Sequence, residues 1–464
     1  MGIELAVALS VASFFLGQTL LTRCRFCLAP IICPLNWFLF LFGLKLVIVP
    51  VAVLVFGEST RFLPYKPSDS AVIAAILLNV VAYWSFCAGI QIFSRKQSGN
   101  ISRALAGNAR NWIPPRSLII AFAVLGFAGV AYRFGSLGNL VDYFMDPQTY
   151  LFNSQAGGQD VATGGGGIAV LLMYFLPFSA VMMWCRGQYR TSRRSGILER
   201  LLPPILIALI ALSSSLSSYS RTLFVMPLIA IAAVMTRQGV SANILKYVAL
   251  GVFGVALLAV ISSYRMFFTV SGDMVPNEVD MAEVSDMFQD YGAAPQYLAV
   301  LIESSAFHEN PGMGRVLFSS AMSPVPVLGK PFRPYSGNAI FQKMMGREDQ
   351  PAPFVGELFL DFSVFGVVLG HVAVGALTAA LQNRFVLAAE PLELYILQFT
   401  SLCCSYFIVC GMAEVTQFAT YLFWPVYCLL LFRKLQRGGH LGSVVALILV
   451  GQKASNSLSE KASG

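Results

Sequence analysis

Runs of about 20 apolar residues recur from one end of the chain to the other, and few folds can accommodate them. A helix needs about 20 apolar residues to cross the hydrocarbon core of a bilayer. Eleven segments meet or approach that length: 3–21, 35–56, 71–93, 117–132, 168–185, 201–219, 222–236, 247–264, 357–381, 394–411 and 417–432. A twelfth stretch, 441–450, is too short to cross and reads as interfacial or as part of a tail. Segment 3–21 has neither a basic n-region nor a small-residue cleavage site, so it reads as a retained helix and not a signal peptide. Only 12 % of the 464 residues are charged and 56 % are hydrophobic, against about 25 % charged in soluble domains. An ordinary soluble enzyme and a disordered chain are both excluded. The expected fold is an all-α polytopic bundle of about 11 transmembrane helices, with residues 1–464 forming one membrane domain.

Basic residues orient the bundle, because cytoplasmic loops are enriched in Lys and Arg. With the N-terminus outside and the spans alternating, twenty of the 31 Lys and Arg fall inside. Arg190, Arg193 and Arg194 in one loop and Arg433, Lys434 and Arg437 near the end are examples. The net charge of +8 is thereby explained by anionic lipid and calls for no nucleic acid. Two outside loops are long: 133–167, and 265–356 of about 90 residues. The second is expected to carry short amphipathic helices against the outer membrane face, with helical patterns near 281–290 and 338–345. The inside loops have no room for a cytosolic catalytic domain, so chemistry is expected in the membrane or on its outer side.

The chain is poor in conventional catalytic equipment. Its three histidines are far apart in sequence, and the lone Cys24-x-x-Cys27 has no second pair at ligand spacing, so no metal site and no cofactor is expected. Glu278 and Asp280 read as a solvated acidic loop. The Thr163-Gly-Gly-Gly-Gly167 run lacks the Lys-Ser/Thr of a phosphate loop.

Ionisable residues at the apolar layer carry more information, since each is costly there. Arg221 follows six serines in residues 213–220, at a hairpin too tight to reach far into water. Its guanidinium suits a phosphate or diphosphate. Arg133 and Arg265 each follow a Tyr at an outer helix end, against the charge bias. In the large loop, Lys330, Arg333, Tyr335 and Asn338 lie in a proline-stiffened basic aromatic stretch, and Arg347 follows. Glu357 and Asp361 are four apart on the ninth span and share a face. On a continuous helix His371 falls close to the same stripe, roughly 21 Å deeper, as an interhelical contact. Glu357, at the outer end, could accept a proton from a hydroxyl or orient an Arg. Glu414 is a second acidic candidate, read first as a solvated turn residue.

Three of these features resemble Wzy-type O-antigen and exopolysaccharide repeat-unit polymerases. They are the serine-rich hairpin into Ser220-Arg221-Thr222, the long outer loop with Lys330-Pro331, and Gly356-Glu357-Leu358-Phe359-Leu360-Asp361-Phe362 with Gly366 and Gly370. The last is similar to the family's GELYxNFGxxG pattern, with Asp361 in place of Asn and Ser363 in place of Gly. The resemblance implies a metal-independent inverting glycosyltransferase, multi-pass in a bacterial inner membrane. It would join undecaprenyl-diphosphate-linked oligosaccharide repeat units at the outer face. It further implies Arg221 and Arg265 on the diphosphate, with Arg133, Lys330, Arg333, Tyr335 and Arg347 binding substrate. Glu357 would be the base or the Arg-orienting group. A chain-length regulator protein is the partner, besides membrane lipid, that such an enzyme would take. An O-antigen ligase, which would use His308 in the outer loop, and a lipid-linked glycan flippase are the alternatives.

Overall fold

The computed structural model describes residues 2–23, 33–57, 63–97, 114–135, 138–139, 171–189, 289, 294–304, 312–325, 327–345, 351–388 and 390–437. Among these the regular elements are all helices. In chain order they are α1 (Ile3–Arg23), α2 (Pro34–Phe56), α3 (Asp69–Gln97), α4 (Arg116–Phe134), α5 (Phe175–Tyr189) and α6 (Pro295–Glu303). Then come α7 (Arg315–Met322), a 3-10 turn (Lys330–Tyr335), α8 (Gly337–Met345), α9 (Phe354–Leu387), α10 (Pro391–Ser405), α11 (Met412–Gln417) and α12 (Trp424–Arg437).

Among the described residues four helical stretches are long and apolar enough to cross a membrane: Ile3–Leu21, Pro34–Phe56, Asp69–Ser94 and Phe354–Leu387. A fifth arises if Met412–Leu422 and Trp424–Leu435, bent by 50°, make one span. Shorter apolar helices, Arg116–Tyr132 and Leu171–Arg186, fall on the expected segments 117–132 and 168–185. The expected spans 201–219, 222–236 and 247–264 lie outside the described residues, as do Arg221, Arg265, His308 and Arg347 and most of the loop 133–167.

The helices form because their runs are largely apolar, and their exposed faces stay apolar. Phe15 and Leu16 on α1 and Val124 on α4 are more than half exposed, as lipid-facing side chains should be. Among the described helices the most extensive pairing is the crossing of α3 and α9. Gly89 and Gly375 meet there. A Cβ on Gly375 would lie 3.0 Å from the Ile90 nitrogen and 3.1 Å from the Gly89 Cα, and closer still to the Phe86 carbonyl oxygen. Small residues let membrane helices approach backbone to backbone in this way.

At the end of α9 expected to face inside, Arg384 pairs with Glu393 at 3.2 Å and Arg433 with Glu390 at 3.4 Å. These contacts join α9, α10 and α12 where the charge bias placed the cytoplasmic ends.

Helix α9 is not one rod. Its 34 residues would reach about 51 Å at 1.5 Å per residue, far beyond a hydrocarbon core of about 30 Å. The helix breaks at Phe362 (φ −140°, ψ 15°) and Ser363 (φ 59°, ψ −155°). Residues 364–387 then supply about 36 Å, enough to span, while 354–361 form a separate short helix carrying Glu357 and Asp361. Gly366 makes the bend sterically possible: a Cβ there would sit 2.6 Å from the Leu358 carbonyl oxygen. The continuous stripe expected through Glu357, Asp361 and His371 is therefore interrupted, although all three side chains are buried.

Ser363 occupies backbone space that only glycine visits freely, at a cost of about 1–3 kcal/mol. Ser363→Gly should relieve part of that strain, stabilising the purified protein by about 1 kcal/mol. A raised thermal midpoint in detergent is the expected result, and a lowered one would show that the serine side chain is needed at the break.

Candidate functional site

The short helix 354–361 gathers the segment 312–345 around two carboxylates. Glu357 is fully buried. One of its oxygens accepts the Ser320 hydroxyl at 2.6 Å, and the other accepts the Met412 N–H at 2.7 Å. The same Ser320 oxygen accepts the Gly337 N–H at 2.8 Å. One carboxylate thus ties α9 to α7, to the start of α8 and to the start of α11. A buried carboxylate survives only when such donors replace water.

Asp361 does the same work one turn further on. It accepts the Val316 N–H at 3.1 Å and the Leu317 N–H at 2.7 Å. These belong to the first turn of α7, whose N-cap residue is Gly314 and carries no side chain to cap it. The orphan amides of a helix start need an acceptor, and here it arrives from 44 and 45 residues away.

Glu414 departs from the solvated-turn expectation. It sits in the first turn of α11 and accepts the Asn338 side-chain amide at 2.6 Å and the Gly411 N–H at 3.1 Å. The Asn338 carbonyl oxygen in turn accepts the Ala352 N–H at 2.9 Å. Of the basic aromatic stretch, Asn338 is therefore the member that locks the loop to the helix ends.

The remaining members of that stretch face outward. Lys330 and Arg333 are exposed, on the 3-10 turn that runs directly into α8. Tyr335 is half exposed, and the Arg315 guanidinium stacks over its ring at 4.0 Å. Arg333 reaches back to the Ser323 carbonyl oxygen at 3.4 Å. No Asp or Glu occurs between residues 312 and 345, against four Lys and Arg, so this surface favours anions. Arg133 lies at the end of α4, with no side-chain position described. The structure thus places Glu357 beside the segment 312–345 that carries Lys330, Arg333 and Tyr335, while Arg221, Arg265 and Arg347 lie outside the described residues.

His371 sits between the rings of Phe42 and Phe354, with its Nδ1 2.9 Å from the Val367 carbonyl oxygen. Its Nε2 is buried and finds no hydrogen-bond partner among the described residues. Sequence reasoning passed over its neighbour. Lys45 is 2 % exposed and donates to the Ile408 carbonyl oxygen at 2.7 Å. It lies near enough to His371 and Cys410 to interact with both electrostatically. Lys45 stands on a π-helical turn, Leu44–Ile48, a distortion frequent at functional positions. A lone lysine inside the apolar run 35–56 was the available clue.

Among the described residues no group of three or more His, Cys, Asp or Glu is arranged to hold a metal ion. Compared with models of known families, with curated proteins and with solved structures, the chain matches none.

Proposed function

We propose that the protein is a glycan polymerase that joins lipid-diphosphate-linked oligosaccharide repeat units at the outer face of a bacterial inner membrane. The observation that carries this reading is the convergence on Glu357. A segment with an exposed basic aromatic surface is anchored through Ser320 and Gly337 to one buried carboxylate at the start of α9. Such an anchor would hold cations at a fixed height above the bilayer, where a lipid-linked diphosphate presents its charge.

In the proposed step, the acceptor hydroxyl oxygen forms a bond to the anomeric carbon of the growing chain. The anomeric carbon–phosphate oxygen bond breaks with inversion, and the lipid diphosphate leaves with the bonding electrons. The acceptor proton passes to a carboxylate or to water. The diphosphate is already an activated leaving group, so the arginines expected at Arg221 and Arg265 need only stabilise its growing charge. Glu357 is wholly enclosed in this conformation, and within this reading it positions the loop without meeting the acceptor hydroxyl.

The test is a strain lacking the gene, examined for the length of its surface glycan. Single repeat units are the expected product. Loss of attached polymer with chain growth intact would instead favour the ligase, and accumulated lipid-linked units on the inner side the flippase. Complementation with Glu357→Gln should restore long chains in reduced amount. The amide keeps one acceptor but faces a second donor with an N–H, which costs about 1–3 kcal/mol.

A further inference from the structure

Helix α7 turns a large apolar side chain outward. Val316, Ser319 and Ser320 are buried, while Phe318 is 57 % exposed. Two neighbouring turns do the same with single side chains. Met313 is 82 % exposed and Val327 85 % exposed. Both adopt left-handed backbone, with φ of 45° and 66°. Bulky and β-branched residues seldom accept that conformation, yet here it puts an apolar side chain at each tip. Leu328 follows, also largely exposed.

This apolar surface does not stand alone. Gly314 packs beside Phe362, whose ring would be 3.3 Å from a Cβ placed there. Phe362 is the first exposed apolar residue at the break of α9, and Phe365 and Leu369 continue that face down the span. Gly314, next to Met313 and one turn before Phe318, thus sits against the exposed apolar end of the α9 span. Around it stand Arg315, Lys330 and Arg333, all exposed, in a stretch without a single acid.

We propose that the described residues 312–325 and 327–335 form a lipid-docking element. Met313, Phe318, Val327 and Leu328 enter the boundary between headgroups and acyl chains, and Arg315, Lys330 and Arg333 hold the phosphates of anionic phospholipid above them. Apolar tips with a basic collar are what an interfacial anchor requires. The element does not rest on the glycan-polymerase reading, and it would serve any protein whose outer loop must keep a fixed height on the membrane.

The test uses the full-length protein in nanodiscs of phosphatidylcholine with or without phosphatidylglycerol. A bimane label is placed at Val327→Cys, and separately at Leu328→Cys, after the native cysteines that react with the reagent are replaced. Both positions are exposed, so neither change disturbs the core. Lipids brominated near the headgroup end of their chains should quench both labels severalfold, and aqueous iodide should have little effect. Quenching should be stronger in the discs containing phosphatidylglycerol, and K330Q together with R333Q should remove that difference. Preferential quenching by iodide overturns the docking. Equal bromine quenching in the two kinds of disc overturns the assignment to anionic lipid.

Discussion

A strain whose only copy of the gene carries Arg221→Ala should make glycans of one repeat unit while the protein is still produced and inserted. From the sequence alone, the serines before Arg221 are expected to satisfy backbone groups in a bent turn and to leave the guanidinium at the membrane edge. Removing one preorganised donor from a charge-stabilising site typically costs about 100–1,000-fold in rate. A processive reaction slowed that much yields no visible ladder on a gel that resolves glycan length. Immunoblotting of the membrane fraction separates this outcome from loss of the protein. Long chains persisting in the mutant would remove Arg221 from the proposed centre.

Gly375→Ala should be one of the most damaging single-methyl additions in the described bundle. The added carbon meets backbone of α3 at Phe86, Gly89 and Ile90, and backbone cannot swing aside as a side chain can. The helices must separate, which places the cost at or above the upper end of the usual 1–3 kcal/mol for overpacking. Gly43→Ala is the contrasting case. Its new carbon would meet only the tip of the Phe14 ring, at 3.1 Å. That ring can turn, and the helix gains about 0.8–1.0 kcal/mol of propensity from the exchange of Gly for Ala. Thermal unfolding of the two detergent-purified variants should therefore move in opposite directions. A small effect at Gly375 would mean that the α3–α9 crossing is looser than its backbone contacts indicate.

The two tests bear on properties of unequal legibility. Apolar run length was readable because a helix in lipid needs nothing but its own hydrogen bonds and an apolar surface. The described helices α1 to α5 and α9 accordingly fall on the expected segments. Helix 337–345 appeared near its expected place because its apolar and polar residues alternate with a helical period. What could not be read was anything set by partners distant in sequence. Asp361 looked like one member of a helical stripe, yet it caps a helix more than forty residues earlier, a role that exists only after the loop folds back. Ser363 gave little hint of a break, because serine is acceptable in a helix and its left-handed backbone shows only in the folded chain. Glu357 was singled out as an ionisable residue at an apolar helix end. Its bonds to Ser320 and to the Met412 N–H had no local trace. Lys45 left a clear mark in the sequence and was still overlooked, since a single lysine hardly changes the hydropathy of the run around it.

That lysine also sets a schedule for biogenesis. Its hydrogen-bond acceptor among the described residues, the Ile408 carbonyl oxygen, is 363 residues further along the chain. At roughly 5–20 residues per second the ribosome needs about 20–70 s to make that distance. A lysine inserted with α2 would stand in the bilayer over that interval at a cost of about 2.5–3.5 kcal/mol, before the acceptor it uses in the folded chain exists. A chain truncated before α10 would lack that acceptor, and synthesis of the turn after α10 supplies it.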